Sequence, residues 1–260
     1  MTDAVSPSVY VLARTALDRV ELDRFLTDAG LSWRESGDAS QIEDVVEIAG
    51  RICYLSFGSQ QSARTNREYI SRLIAQEHES VLEHVSWTFL LTGVSRAFTH
   101  QLVRHRAGTA FSQLSQQYHD EREGLAIEPS LIANNPTLSL EWNQHLKATR
   151  DLYDRLIKAL DDEETPISEE RERRRAIRSA ARSILPEAAE TKIVFTANAR
   201  ALRHILSVRG ELAGDAEWRT VCALLLERLN EDAPVLFWDF VREEMPDGTP
   251  IVRRTAKDAT

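Results

Sequence analysis

Three short segments of the chain carry the pattern of β-strands. In residues 85–91 the apolar residues alternate with Ser86 and Thr88, which is the period of a strand buried on one face. Residues 8–13 form a short apolar run, and residues 192–197 form another that is rich in β-branched side chains. We expect one strand at each of these places.

Most other apolar residues recur at helical spacing. The first helical stripe, which should stop at Gly30, consists of Leu22, Phe25, Leu26 and Ala29. Ser40 with Glu43, and Thr65 with Glu68, each fit the capping box that begins a helix. Two further helices are therefore predicted after the first.

Downstream, the pattern is again mainly helical. Ser95 should cap a helix that runs into Arg104, and Asn198 should cap another. Longer periodic stretches cover residues 138–160, 168–185 and 218–229. A last helical element should begin at Pro234 and carry Phe237, Trp238 and Phe240. Since no repeat or linker interrupts the chain, we expect a single helix-rich domain over residues 1–260.

Composition excludes several classes of protein. Hydrophobic residues make up 42% and charged residues 28% of the 260 positions, unlike a disordered chain, a collagen or a disulfide scaffold. No stretch approaches the roughly 20 consecutive apolar residues of a membrane span, and residues 1–10 lack the features of a signal peptide. We expect a cytoplasmic protein with no membrane partner.

Charge and cysteine content narrow the partners further. The net charge of −9 argues against general nucleic-acid binding. Cys53 and Cys222, both within apolar segments, are too few for a disulfide framework or a thiolate zinc site. The two histidines of residues 78–84 (HESVLEH) lie six positions apart and cannot share a helix face as an i, i+4 zinc pair does. No metal site is predicted.

Polar residues concentrate first in residues 101–118. If Gln101, Arg104 and His105 are helical, they share a face and present an amide, a guanidinium and an imidazole to one ligand. An exposed, charged helix end explains the same residues equally well.

A second concentration is the arginine-rich helix of residues 169–184. Arg174, Arg178 and Arg182 share one face there, which suits a phosphate or a carboxylate. For arginines 171–178 we favour the alternative, a solvated face paired with neighbouring glutamates. Arg182 lies among small apolar residues, so we expect it to point inward.

The third concentration is residues 197–210, which contain Asn198, Arg200, His204 and Arg209. A helix beginning at Asn198 would offer unpaired N–H groups to an anionic ligand. An amphipathic helix with outward basic residues fits as well, except that Arg209 falls where the helix should stop.

These blocks, in this order, resemble the flavin-dependent thymidylate synthases. The family's R-H-R motif stands as Arg104-His105-Arg106, followed by SQLSQQY at residues 112–118. The upstream H-E-x-x-x-E-H block is residues 78–84, and the downstream N-A-R block is residues 198–200, followed by Arg209. The chain is identified as a member of this family over most of its length.

The chain departs from the family pattern at three places. Eight residues, not seven, separate Arg106 from Ser115, and Gln117 replaces the arginine of S-x-R-Y. The segment of residues 209–218 is also longer than usual and has Asp215 about where the family tends to have histidine. These departures concern the nucleotide, so the ribonucleotide UMP, which a divergent branch of the family methylates, remains the alternative to dUMP.

The resemblance implies an α+β fold in which helices cover a mixed β-sheet, and a homotetramer whose subunits jointly build each site. The implied reaction is FAD-dependent reductive C5-methylation of a pyrimidine nucleoside monophosphate, dUMP to dTMP. Methylenetetrahydrofolate would donate the carbon, and NADPH would reduce the flavin.

The resemblance also assigns residues. Those implied to bind FAD are Ser80, Glu83, Arg104, His105, Arg106, Ser112, Gln113, Asn198, Arg200 and His204. Those implied to bind the nucleotide are Gln101, Arg104, Gln113, Ser115, Gln116, Gln117, Arg182 and Arg209. Arg182 would hold the phosphate. Arg209 and Ser115 are the catalytic candidates, Ser115 by positioning the nucleotide and not by covalent attack.

Neither cysteine lies in the electropositive setting that a reactive thiolate needs. Activation of the uracil ring must then be electrostatic, through an arginine that stabilises charge on the carbonyl and N3. By resemblance this is Arg209. A non-catalytic nucleotide- or RNA-binding protein using arginines 171–182 is the competing class, and the net charge weighs against it.

Overall fold

A computed structural model describes residues 5–163 and 166–255. The helices are α1 (Arg19–Asp28), α2 (Gln41–Ile52), α3 (Asn66–Ala75), α4 (Arg96–Leu102), α5 (Ser130–Ala133), α6 (Pro136–Asp162), α7 (Glu170–Ala181), α8 (Ala199–Arg209) and α9 (Ala216–Asp232). The strands are β1 (Ser8–Arg14), β2 (Ser86–Ser95), β3 (Thr109–Gln113), β4 (Glu190–Asn198), β5 (Phe240–Glu244) and β6 (Pro250–Arg254). Short 3₁₀ segments are Gly58–Gln60, Glu79–His84, Arg182–Ile184 and Pro234–Phe237. The helix-rich α+β class is confirmed.

The strands form two sheets. One has the strand order β1-β2-β4-β3, so strands that neighbour each other are not consecutive in the chain. The other is the antiparallel hairpin β5-β6, in which Phe240 lies opposite Arg254 and Glu244 lies opposite Pro250.

The chain divides into two compact units. The first unit comprises the residues up to Ser8, Leu91–Arg104 and Phe111–Val194, and the second comprises Val9–Leu90, His105–Ala110 and the chain from Phe195 onward. Four of the five boundaries fall within strands β1, β2, β3 and β4, and the fifth falls between Arg104 and His105, in the loop that precedes β3.

Large aromatic side chains build the core of the second unit. Phe89 stacks on Phe195 with 6.3 Å between ring centroids, and Trp87 meets Phe237 edge to face at 6.0 Å. All four side chains are buried. Burying one such side chain contributes roughly 1.5–3 kcal/mol.

Side chains of α6 and α7 contribute to the core of the first unit. The ring of Tyr153, on α6, is fully buried, and Ile177 and Ala181 on α7 are buried with it. The Tyr153 hydroxyl accepts a hydrogen bond from the backbone N–H of Glu121 over 3.5 Å.

The predicted helix starts are confirmed in detail. Both capping boxes form: Ser40 and Glu43 bond reciprocally at the start of α2, and Thr65 and Glu68 do so at the start of α3. The side chains of Ser95 and Asn198 cap α4 and α8. Local capping chemistry therefore sets these boundaries.

Two expectations were wrong, and three strands were missed. Helix α4 ends at Leu102, so Arg104 and His105 are not helical and do not share a helix face with Gln101. The element at Pro234 is a short 3₁₀ segment, and Phe240 instead begins strand β5, because it pairs with Arg254 across the hairpin. Strand β3 and hairpin β5-β6 were not predicted.

Among the described residues, no helix combines the length and the apolar character needed to cross a membrane.

Candidate active site

The start of α8 is brought against the segment that follows the RHR motif. The backbone carbonyl of Gly108 accepts a hydrogen bond from the N–H of Asn198 over 3.0 Å, and the Asn198 side chain accepts from Ala201 N over 2.8 Å. Gly108 has φ +69, and a Cβ there would lie 2.4 Å from Asn198 Nδ2. Only glycine permits this close approach.

A cavity of about 580 Å³ opens beside α8 in the second unit, and we call it the Arg200 cavity. It is lined by Glu79, Glu83, Ala107, Gly108, Asn198, Arg200, Ala201, Arg203, His204, Ser207 and Arg254. Arg200 Nη1 donates to Glu83 Oε1 over 2.5 Å. Four residues predicted to bind FAD therefore meet here: Glu83, Asn198, Arg200 and His204.

His105 and Arg209 form a second cluster of the same unit. Arg209 Nε donates to His105 Nε2 over 3.2 Å, and the Arg209 guanidinium lies 5.0 Å from the centre of the Trp218 ring. The His105 ring centroid is 5.9 Å from that of His204, which lines the Arg200 cavity. Two predicted site residues from distant parts of the chain are thus in direct contact.

The charge state of His105 follows from this setting. Its burial, and then the neighbouring charges of Arg209 and His204, lower the pKa of His105 below its ordinary value of 6.5. The ring is therefore neutral at pH 7, and its Nε2 can accept the hydrogen bond from Arg209.

In the first unit, a cavity of about 410 Å³ contains Arg182, and we call it the Arg182 cavity. It is lined by Arg96, His100, Gln116, Ser179, Arg182, Ser183, Leu185, Pro186 and Glu187. Gln116 is 6% exposed, and its Nε2 has no hydrogen-bond partner among the described residues; the same is true of the buried Nη1 of Arg96. Buried donors of this kind favour an anionic ligand.

Sequence reasoning identified Gln116 and Arg182 but missed Arg96. Arg96 directly follows Ser95, which caps α4. A lone arginine in the first turn of a helix does not by itself indicate a binding site. Arg182 is half-buried, as are Arg173, Arg175 and Arg178 of α7, so its burial does not distinguish it from them as expected.

Gln117 faces a second cavity of the first unit, about 390 Å³ in volume, which we call the Arg175 cavity. Its lining residues are Gln117, Tyr118, Glu169, Glu170, Arg171, Arg174, Arg175 and Arg178. Gln117 Oε1 accepts from Arg175 Nε over 3.2 Å, and Gln117 N donates to Ser115 Oγ over 3.3 Å. Gln117, which stands where the family motif has an arginine, is thus hydrogen-bonded to Arg175.

Of the five arginines of α7, two pair with glutamates of the same helix among the described residues, as expected, whereas Arg173 pairs with Asp161. Arg174 pairs with Glu170, and Arg175 lies 3.6 Å from Glu172. Arg178 differs from this expectation, because its Nη1 donates to the backbone carbonyl of Tyr118 over 2.9 Å.

The remaining predicted residues lie outside the linings of these three cavities. Gln113 Nε2 donates to Thr99 Oγ1 over 3.1 Å and to Thr191 Oγ1 over 3.3 Å, so its amide is engaged within the first unit. Gln101 and Ser115 are half-buried. The exposed ones are Ser80, Arg104, Arg106 and Ser112.

The cysteines fit no covalent role. Cys222 is buried in α9, and burial raises its pKa far above the ordinary value, which disfavours the thiolate. Cys53 directly follows α2 and is exposed, although it lies within an apolar segment of the sequence. Within the described ranges, no three His, Cys, Asp or Glu side chains are grouped so that they could hold a metal ion.

Comparison with known proteins identifies the family. The sequence profile described as "Thymidylate synthase complementing protein" matches residues 38–235. The flavin-dependent thymidylate synthase of Corynebacterium efficiens is 37% identical over 250 residues, which cover 96% of each chain. That of Corynebacterium diphtheriae is 38% identical over 232 residues, which cover 88% of this chain and 91% of the relative. That of Mycobacteroides abscessus is 35% identical over 252 residues, 96% of each chain. Because relatives of this family are 35–38% identical over 88–96% of the chain, this chain belongs to the flavin-dependent thymidylate synthase family.

Proposed function

We propose that the protein catalyses FAD-dependent reductive C5-methylation of dUMP to dTMP, with methylenetetrahydrofolate as carbon donor and NADPH as reductant. The observation that carries the proposal is the hydrogen bond from Arg209 to His105, beside a cavity with cationic and amide donors. It joins the arginine that would activate the uracil to the motif that would bind the flavin.

The Arg200 cavity fits FAD by its donor chemistry. Arg200, His204 and the Asn198 amide supply cationic and neutral hydrogen-bonding groups, and the lack of a Cβ at Gly108 lets the Asn198 amide approach the chain there. When bound, FAD supplies the hydride that completes the methyl group. The protein contributes binding and orientation through these side chains.

Arg209 would stabilise the negative charge that develops on the uracil carbonyl and N3 as C5 becomes nucleophilic. A neutral His105 fixes the direction of this guanidinium by accepting from its Nε. Because the guanidinium is held before the reaction begins, little reorganisation is needed as charge develops. No thiol adduct is required.

The Arg182 cavity would bind the phosphate of the nucleotide. The Arg182 and Arg96 guanidiniums and the Gln116 amide supply charge-assisted and neutral donors for its oxygens. Ser115, which accepts from Gln117 N, would position the adjoining turn.

The remaining parts of the proposal are a cytoplasmic enzyme, a single functional domain over residues 1–260 and a homotetramer. The assembly can be checked by light scattering on the purified protein, for which a mass near four times 29.5 kDa is expected.

Tritium release tests the activity. Protein is incubated with FAD, NADPH, methylenetetrahydrofolate and either dUMP or UMP labelled with tritium at C5. Release from dUMP is expected. Release from neither nucleotide contradicts the proposed function, and release mainly from UMP identifies the ribonucleotide as substrate.

A further inference from the structure

The C-terminal hairpin β5-β6 contributes a side chain to the Arg200 cavity. The hairpin lies beyond residues 38–235, which the family profile matches. Arg254, the last residue of β6, lines the cavity together with Asn198, Arg200 and His204. No motif in the sequence marks Arg254.

A buried carboxylate holds Arg254 in place. Asp239 is 4% exposed, and its Oδ2 accepts from Arg254 Nε over 2.7 Å. Both Asp239 oxygens also accept from Arg203, from Nη1 and Nη2, at 2.7 Å each. The two arginines are therefore oriented by one acidic side chain.

The charge of Asp239 is secured by these contacts. Its burial acts to raise the pKa, but hydrogen bonds and charges from Arg203 and Arg254 outweigh burial and lower the pKa below its ordinary value. Asp239 is therefore ionised at neutral pH, and its carboxylate accepts hydrogen bonds from both guanidiniums.

The network leaves two donors unsatisfied beside the cavity. Neither the buried Nη2 of Arg254 nor Nε of Arg203 has a hydrogen-bond partner among the described residues. Glu79 Oε1 lies 4.0 Å from Arg254 Nη2 and 3.8 Å from Arg203 Nε, beyond hydrogen-bonding distance of either. A native structure seldom leaves buried donors unpaired, so a ligand oxygen is expected there.

The charges around the cavity favour an anion. Three arginines and two glutamates line it, and one of the glutamates, Glu83, is engaged by Arg200. A guanidinium held by an anchoring carboxylate on one edge presents its other edge for paired hydrogen bonds to phosphate oxygens.

We propose that Arg254 is a cofactor-binding residue, which binds the diphosphate of FAD from the C-terminal hairpin. The inference rests on the proposed function, since it takes the Arg200 cavity as the FAD site. Asp239 orients Arg254 for this contact, and Arg203 shares the same anchor.

The test is FAD titration of the purified protein, followed by fluorescence quenching, for the parent, Arg254→Ala, Arg254→Lys and Arg253→Ala. Arg253 is the matched control: it is adjacent on β6 and pairs with Glu211 and Glu243 on the surface. Loss of one charge-assisted contact should weaken FAD binding by about tenfold to a hundredfold in Arg254→Ala. Arg254→Lys should recover part of the loss, and Arg253→Ala should bind like the parent.

Equal FAD affinity of Arg254→Ala and the parent, or an equal loss in Arg253→Ala, overturns the inference. If Arg254→Ala does not fold, hydrogen exchange on the parent decides: saturating FAD should slow exchange in residues 250–255, and unchanged exchange contradicts the contact. A parent protein that binds no FAD would instead count against the proposed function itself.

Discussion

Arg209 Nε lies 3.2 Å from His105 Nε2 and donates a hydrogen bond to it, so the end of α8 is tied to the RHR segment. An imidazole can accept this bond only in its neutral form. The guanidinium and the imidazole therefore act as a pair, whose geometry depends on the protonation of His105.

Replacing Arg209 tests the proposed charge stabilisation. Arg209→Ala should lower kcat by about 10²–10³, because the lost interaction is strongest in the transition state. FAD affinity should change little. Tritium release and FAD fluorescence measure the two effects, and Arg228→Ala, which removes a surface arginine paired with Glu231, is the control. A fall in FAD affinity as large as the fall in kcat would argue against this role.

His105 should make stability depend on pH. Its folded pKa lies below 6.5, because burial and the charge of Arg209 oppose protonation. As pH falls through 6.5, the unfolded chain takes up a proton that the folded chain resists, so the free energy of unfolding decreases. Urea unfolding at pH 7.5 and 5.5 should show a smaller decrease for His105→Gln than for the parent. An identical decrease in both proteins would contradict the assignment.

Asp44, 2% exposed on α2, should have an effect of opposite sign. Its burial, with the nearby Glu35, Glu47 and Glu43, raises its pKa from 3.8 to about 7, although Arg19 opposes the shift. Between pH 3.8 and about pH 7, the Asp44 carboxyl is ionised in the unfolded chain but protonated in the folded protein. The free energy of unfolding of the parent therefore decreases as pH rises through this range.

Asp44→Asn does not ionise and should escape that loss. Relative to the variant, the parent should become less stable between pH 4 and pH 8, by up to about 4 kcal/mol for three pKa units. Urea unfolding at the two pH values measures this. A stability difference between the two proteins that does not change with pH is the contrary result.

Removal of both thiols should leave the chemistry intact. Cys53→Ala with Cys222→Ala should still release tritium, because neither thiol is proposed to bond to the uracil. Cys222→Ala leaves a small cavity beside α9, which should lower the free energy of unfolding by about 1 kcal/mol. A folded double variant without activity would restore a cysteine nucleophile.

Gln117→Arg tests the departure from the family motif. The substitution removes Gln117 Oε1, the acceptor that now holds Arg175. The new guanidinium would also repel the Arg175 side chain. The KM for the nucleotide, or the preference between dUMP and UMP, should then change more than kcat. Gln117→Ala, which removes the acceptor without adding charge, separates the two causes. A change confined to kcat would place Gln117 in the chemical step.

The elements that were missed from the sequence share a physical cause. Strand β3 contains no fully buried residue, and β5 ends in the charged residues Arg242, Glu243 and Glu244. Neither segment therefore shows the alternation of apolar and polar residues that predicts a strand. Their backbone pairing with other strands makes them strands. Such pairing is non-local, and the amino-acid pattern of one segment does not encode it.

The sequence by itself determined the helix starts and the residues of the family motifs. Capping boxes, apolar stripes and short strands are set by neighbours a few positions apart, so Ser40, Thr65 and Asn198 were assigned correctly. Only the tertiary structure decided which side chains meet. The contact of His105 with Arg209 spans 104 positions, and Asp239 joins Arg203, 36 positions away, to Arg254. These contacts follow from the packing of distant elements and the pairing of buried charges, which no local spacing reveals.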